Sequence, residues 1–150
     1  MKSDPLITFR RKPATPDAEH LQSFAEVLRN SVARKREFHC LITNDAELQS
    51  LNAQFRGKDY PTDVLSFPSN ASATSGESLG DIAISIQRAR SQAREWKHSA
   101  EDEIRILMLH GLLHLLGMDH ETDSGEMKRT EIRWRRKLGL PISLIEREAA

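Results

Sequence analysis

Three of the six histidines in this 150-residue chain fall within eleven residues, at His110, His114 and His120. Residues four apart on a helix share one face, about 6 Å apart along the axis, so His110 and His114 can bind one ion. A turn at Gly117 can bring His120 back to the same ion. Three neutral nitrogen ligands leave one coordination position open for water, whose pKa bound zinc lowers. The spacing therefore predicts a divalent metal site, with zinc preferred, that serves hydrolysis.

These histidines could instead be core residues or ligands of a purely structural metal. A single histidine on an apolar helix is usually a core residue, but clustering at ligand spacing argues against this. A structural site would need a fourth ligand. The only thiol, Cys40, lies far away in the sequence, in an apolar run that predicts a buried and inert side chain. His20, His39 and His98 lack ligand spacing, and we expect them at the surface or in packing contacts.

The reaction is narrowed by the residue that follows the first histidine. The spacing His-x3-His-x5-His, with a glycine three residues after the second histidine, also occurs in metzincin metalloproteases. Those enzymes need a glutamate directly after the first histidine as general base, and Gly111 stands there. Peptide hydrolysis is therefore disfavoured. Asp119 either accepts an N–H from a ligand imidazole or is an ordinary turn aspartate, and the sequence does not choose.

Three segments together resemble one known family. The run from His110 to His120 resembles the signature of the YbeY family of bacterial endoribonucleases. Two other segments are similar to that family's pattern: residues 52–56 with the following Pro-Thr-Asp-Val-Leu-Ser-Phe-Pro at 61–68, and Gly-Asp-Ile at 80–82. The resemblance covers roughly residues 38–138 in element order. The first 35 residues and the tail after residue 140 carry no distinctive motif.

The resemblance implies a metal-dependent, single-strand-selective endoribonuclease. It implies action on ribosomal RNA precursors, notably at the 3′ end of the small-subunit RNA, and a role in ribosome quality control. The small ribosomal subunit or its assembly factors are the implied partners. The family's histidines carry over as His110, His114 and His120, which would bind one Zn²⁺, and its functional arginine carries over as Arg56. We therefore take Arg56 and His114 as candidate catalytic residues.

The chemistry is compatible with that assignment. Phosphodiester cleavage needs a Lewis acid on the phosphoryl oxygen and a cation for the developing charge, and Arg56 could clamp the phosphate. By position alone, Arg56 would be a solvated arginine at a helix end. The nucleophile is either metal-bound water or the 2′-hydroxyl of the substrate. Two alternatives remain: a metalloprotease-like metallohydrolase, and a ribosome-assembly factor whose metal is structural.

Charge and hydropathy limit the remaining classes of protein. The chain has 22 basic and 22 acidic residues, so bulk charge does not favour nonspecific binding of nucleic acid. Two tryptophans, one tyrosine and five phenylalanines offer no clear platform for base stacking. We expect RNA contacts to rest on basic clusters and Arg56. No apolar stretch approaches the ~18 residues of a membrane span, and no signal peptide is evident, so we expect a cytoplasmic protein without membrane contact.

The elements that position these residues alternate along the chain. Periodicity and capping residues predict strands at 7–10, 38–43, 64–67 and 80–84, the third stopped by Pro68. They predict helices beginning near residues 17, 45, 86, 99 and 125, with the second ending near Gly57. The helix from Ser99 to Gly117 is apolar nearly all round, which predicts a central, buried position.

The connections between these elements predict a mixed sheet. Strand–helix–strand units favour parallel pairing, whereas the two strands joined directly by the small, polar residues 69–79 favour an antiparallel pair. We expect those residues to form a flexible surface loop. The predicted fold is a single α+β (α/β-type) domain over residues 1–150. It has about four strands covered by about five helices, one of them a central metal-binding helix.

Overall fold

The computed structural model describes residues 6–10, 17–69 and 78–148. Four strands and six helices follow one another in these ranges. They are β1 (Ile7–Phe9), α1 (Ala18–Asn30), β2 (His39–Thr43), α2 (Asp45–Arg56), β3 (Val64–Pro68), β4 (Gly80–Ser85), α3 (Ile86–Glu95), α4 (Ala100–Leu115), α5 (Glu126–Lys137) and α6 (Leu144–Glu148). The five predicted helices are all present, and α6 is a sixth that was not predicted. The predicted loop at 69–79 lies mostly outside the described residues.

The strands form one mixed sheet in the order β1-β2-β4-β3. β1 pairs with β2 and β2 with β4 in parallel, while β3 and β4 are antiparallel, which confirms the predicted mixed sheet. The antiparallel partner β3 lies at the edge. Pro68 is the last residue of β3 rather than its stop, since it pairs with Gly80 in the ladder. A residue without an N–H is tolerated there because β3 is an edge strand, with β4 as its one neighbour among the strands of the described ranges.

Capping residues set the ends of the two helices that carry the candidate site. The Asn44 side chain accepts from Glu47 N at the start of α2, and Ser99 Oγ accepts from Asp102 N at the start of α4. Gly57 follows α2 with a φ of 68°, and Gly117 lies just beyond α4 with a φ of 94°. Both conformations favour glycine, so the chain turns sharply after each helix.

The predicted central helix is α4. Eleven of its sixteen residues are buried, and it packs against β3 and β4 as well as against α1, α3, α5 and α6. This burial holds its side chains in fixed positions. Cys40 is fully buried in β2, and burial raises the pKa of its thiol, in line with the expected inert side chain. Within the described ranges, no helix is long and apolar enough to cross a membrane.

Candidate metal centre and its cleft

The three histidines converge as their spacing predicts. One ring nitrogen from each of His110, His114 and His120 lies within 4.8 Å of the others. The Nε2 atoms of His110 and His114, one turn apart on α4, are 3.2 Å apart. Two Zn–N bonds of about 2.0–2.1 Å at a tetrahedral angle separate their nitrogens by roughly 3.3 Å. The observed separation therefore fits two ligands of one ion.

Hydrogen bonds select the ring nitrogens that face the cluster. His114 Nδ1 lies 2.9 Å from the Met118 carbonyl oxygen, which can only accept, so Nδ1 carries the proton. His110 Nδ1 lies 2.7 Å from Glu131 Oε2, and a carboxylate also selects the ring with Nδ1 protonated. In neutral rings the two Nε2 lone pairs then point at each other. Two lone pairs at this distance repel each other, and a metal ion between them removes the repulsion, so the donor set fits a metal ion.

His114 is held in the state that a ligand needs. Burial lowers its pKa, and the neighbouring imidazoles of His110 and His120 lower it further, while the Met118 carbonyl and the charge of Asp119 oppose the shift. A neutral imidazole is the form that coordinates a metal.

Glu131 links the cluster to the C-terminal part of the chain. This α5 carboxylate is fully buried, and its Oε1 accepts from the Ile145 N–H at 2.9 Å while its Oε2 faces His110. Such an acceptor fixes the tautomer and orientation of a ligand imidazole. The sequence reasoning missed Glu131. The sequence does contain a pattern that could have indicated a buried acid here. Glu131 interrupts a row of apolar residues at helical spacing, formed by Met127 and Trp134 of α5 and by Leu138 directly after it.

Asp119 organises the turn that carries His120. Its Oδ1 accepts from Glu121 N at 3.0 Å, and its carbonyl accepts from the N–H groups of Thr122 and Asp123. Of the two alternatives that the sequence left open, these contacts are those of the turn aspartate. The tautomer-fixing acceptors seen at the other two rings are Glu131 and the Met118 carbonyl.

A cleft of about 730 Å³ joins the histidine cluster to Arg56. Arg56 is the last residue of α2 and is exposed. Alternate residues of β3, at positions 64, 66 and 68, line the same cleft because side chains on a strand alternate between its faces. The structure thus brings all four predicted site residues into one cavity, although Arg56 is more than fifty positions from the first histidine.

The charged residues around this cleft leave it formally acidic when the histidines are neutral. Two arginines and four carboxylates line it: Arg56, Arg147, Asp63, Glu95, Asp119 and Glu121. The excess of two negative charges matches the charge of one divalent cation. Attraction of a phosphate into this cleft would therefore depend on a bound cation together with the arginines.

Packing at Gly111 explains why the position cannot carry a protease base. A Cβ there would lie 2.9 Å from Ile82 Cγ2 and 3.2 Å from Ser66 Oγ. The Ser66 hydroxyl also donates to the Gly111 carbonyl at 3.0 Å. Helix α4 meets the sheet at this residue, so a glutamate would have to displace the side chains of Ile82 and Ser66. The expectation against peptide hydrolysis thereby gains a steric reason.

The segment after residue 140 carries no sequence motif, but it contributes to the cleft. Leu144 and Arg147 of α6 line it. Arg147 donates to both carboxylate oxygens of the fully buried Glu103 of α4, at 2.7 and 2.8 Å. His98 Nε2 lies 2.6 Å from the same carboxylate, whereas His20 is an exposed residue of α1. These two histidines are a packing residue and a surface residue, as expected.

Comparisons with known proteins agree with this geometry. The family model described as "Endoribonuclease YbeY" matches residues 7–139. A protein of that name from Solibacter usitatus is 59% identical over 141 residues, covering 94% of this chain and 92% of that protein. One from Koribacter versatilis is 46% identical over 142 residues, covering 95% and 91%. The solution structure of a Thermotoga maritima protein matches with a TM-score of 0.58 and 28% identity over 85% of each chain.

Proposed function

The chain belongs to the endoribonuclease YbeY family, and from that premise we propose that it is a metal-dependent endoribonuclease selective for single-stranded RNA. The observation that supports this most directly is that three imidazoles and Arg56 share one cleft. The family resemblance further suggests ribosomal RNA precursors as substrate, notably the 3′ end of the small-subunit RNA, and a role in ribosome quality control. In this proposal the protein acts in the cytoplasm with the small ribosomal subunit or its assembly factors.

His110, His114 and His120 would hold the ion in this proposal. Three imidazole nitrogens around one point suit zinc among the common divalent ions. When bound, the ion supplies Lewis acidity to a phosphoryl oxygen. Glu131 and the Met118 carbonyl keep the Nδ1 protons on His110 and His114, so that both Nε2 atoms face inward.

Arg56 would bind the scissile phosphate. A guanidinium can donate two parallel hydrogen bonds to two phosphate oxygens, and its charge remains at every relevant pH. Negative charge on these oxygens increases as the phosphodiester bond breaks, so the interaction is stronger in the transition state than in the ground state. This role is supported by the exposed position of Arg56 at the end of α2 and by its place among the residues that line the same cleft as the histidines.

Cleavage assays under single-turnover conditions test the proposal. The zinc-loaded protein is incubated with an unstructured RNA, a duplex of the same sequence and casein, with and without chelator. We expect cleavage of the unstructured RNA alone. Chelation, His114→Ala and Arg56→Glu should each lower its rate by roughly 10²-fold or more. Elemental analysis of the purified protein should find about one zinc per chain, and product ends with a 2′,3′-cyclic phosphate would identify the 2′-hydroxyl as nucleophile.

Two matched variants control for nonspecific effects. His20→Ala removes an exposed histidine of α1. Arg29→Glu reverses the charge of an arginine in the last turn of α1, as Arg56→Glu does in the last turn of α2. Both should cleave as the unmodified protein does. Cleavage that survives chelation and both site variants would indicate contamination and refute the proposal. Two results together would instead indicate an assembly factor with a structural metal. The zinc-loaded protein would bind RNA without cutting it, and chelation would unfold the protein.

A further inference from the structure

One wall of the cleft carries an aromatic side chain that the proposed cleavage chemistry does not use. Trp96 directly follows α3, is half-buried, and lines the same cavity as the three histidines and Arg56. We propose that Trp96, with the Arg147 guanidinium over one face of its ring and Gln92 on the same cleft, forms a subsite that stacks one unpaired base of the RNA strand on the other face. This inference rests on the proposed function, and it names the feature that would favour single-stranded substrates.

One face of the Trp96 ring has a fixed neighbour that also lines the cleft. The Arg147 guanidinium lies over the Trp96 ring, 5.0 Å from its centroid. That guanidinium is fixed by two hydrogen bonds to Glu103, a carboxylate with no exposed surface. Because the indole already has a fixed neighbour, a base that stacks on it need not order a mobile side chain. A cation beside an aromatic ring also suits the π-face of a base.

Gln92 adds an unmet hydrogen-bonding requirement to the same wall. Its Nε2 donates to Asp63 Oδ2 at 3.1 Å, which orients the amide because the opposite orientation would put two oxygens together. Its Oε1 is left buried with no partner within the described part of the chain. Gln92 lines the cleft, so in this proposal its amide turns to let the oxygen accept an N–H from a bound base. Buried acceptors usually have partners, so the unpaired one points to a ligand that supplies a donor.

Stacking in this subsite would explain single-strand selectivity. A base in a duplex is paired and stacked on its neighbours, so it cannot reach a side chain in the cleft without being unpaired. The ion held by the histidines and the Arg56 side chain would contact only the phosphate part of a nucleotide and would not distinguish the two forms of RNA. Trp96 and Gln92 would distinguish them, because they would contact the face and edge of a base, which only a single strand leaves free.

Tryptophan fluorescence tests the subsite without using cleavage. The chain has two tryptophans, and Trp134 is not among the residues that line the cleft, so Trp134→Phe leaves Trp96 as sole reporter. The zinc-loaded variant is titrated with adenosine 5′-monophosphate and with ribose 5-phosphate, which lacks only the base. We expect the nucleotide to quench Trp96 and ribose 5-phosphate to leave it unchanged. In Trp96→Phe, where Trp134 reports, neither compound should quench beyond the absorbance correction.

Affinity and kinetics provide the second measurement. Stacking contributes about 1–3 kcal/mol per base, so Trp96→Leu should weaken binding of the mononucleotide and of a single-stranded oligonucleotide by roughly 5- to 150-fold. The concentration of RNA at half-maximal cleavage should rise by a similar factor while the maximal rate changes little. Trp96→Phe should lose less than Trp96→Leu, and Trp134→Phe should bind normally. Circular dichroism and thermal unfolding identify any variant that fails to fold. If a Trp96 substitution fails to fold, quenching of Trp96 in the Trp134→Phe protein still tests the subsite.

The outcomes separate this inference from the proposed function. If the protein cleaves single-stranded RNA but Trp96 is not quenched, or Trp96→Leu binds normally while folded, the subsite is wrong and the endoribonuclease proposal stands. If the nucleotide quenches Trp96 but RNA is not cleaved, the subsite stands and the cleavage proposal falls. Quenching by ribose 5-phosphate as strong as by the nucleotide would show a phosphate effect and refute base stacking.

Discussion

Replacing Glu131 with glutamine should weaken zinc binding by about 10- to 100-fold, although Glu131 is not itself one of the proposed ligands. In the native arrangement, both carboxylate oxygens accept, one from His110 Nδ1 and one from the Ile145 N–H. Glutamine has nearly the same shape but only one oxygen. Its amide nitrogen must therefore face either the histidine or the backbone donor.

Each orientation has a defined consequence. With the amide nitrogen toward His110, the ring must accept at Nδ1 and carry its proton on Nε2, the atom that would bind zinc. With the amide nitrogen toward Ile145, two donors face each other at a fully buried position, which costs about 1–3 kcal/mol of folding free energy. Loss of such an acceptor typically lowers metal affinity 10- to 100-fold, equivalent to about 1.4–2.8 kcal/mol.

Zinc affinity is measured by competition with a chromophoric chelator at pH 7, and stability by urea unfolding with and without zinc. Glu101→Gln is the matched control, because it changes an acid of α4 that contacts Arg105 and does not line the cleft. It should bind zinc as the unmodified protein does. An affinity of a folded Glu131→Gln variant within twofold of the parent would refute the role of Glu131 in positioning His110.

Three further predictions address other parts of the molecule. Arg56→Lys keeps the charge but loses the planar fork, so single-turnover cleavage should slow on the order of 10²-fold while the free energy of unfolding changes by less than about 0.5 kcal/mol; an unchanged rate would contradict the bidentate contact. Gly111→Ala gains about 1 kcal/mol of helix propensity but places a methyl 2.9 Å from Ile82 Cγ2, a close contact that should cost about 2–3 kcal/mol as overpacking. Urea unfolding should therefore show a net loss of about 1–2 kcal/mol, and a stabilised variant would contradict the packing argument. The hydrogen bonds from Arg135 lower the pKa of Glu146 from 4.5 to about 2, so this ion pair should stabilise the fold fully above pH 4.5 and lose its effect as the pH falls towards 2. The difference in free energy of unfolding between the parent and Glu146→Gln should therefore be present in urea unfolding at pH 7 and shrink at pH 3. A difference that grows at low pH would contradict a lowered pKa of Glu146.

Local geometry explains how much of the fold was predictable. Helix periodicity and caps at Asn44 and Ser99 located α2 and α4 within a residue or two, because these signals act over a few neighbouring residues. The connections correctly predicted the parallel β1–β2 pair and the antiparallel β3–β4 pair. They also favoured a parallel pair of β2 with β3, which is wrong because β4 lies between these two strands. The short helix α6 was missed since five residues carry too little periodic signal and are stabilised by tertiary contacts, such as the Arg135–Glu146 pair.

The sequence by itself determined the histidine cluster. The interval of four between His110 and His114 fixes both rings on one helix face, and Gly117 permits the turn that returns His120. The Gly111 position likewise disfavoured a protease base before any packing was known. These features depend on the geometry of one helix and the turn that follows it.

Only the tertiary structure decided what surrounds that cluster. Glu131 reaches His110 from a different helix, and Arg56 lines the cleft from the end of α2. Trp96, which directly follows α3, meets Arg147 of α6 at the same cleft. These contacts join elements far apart in the chain, and their positions depend on how each helix packs against α4 and the sheet. Such packing comes from the summed burial of many side chains, which no short spacing pattern in the sequence encodes.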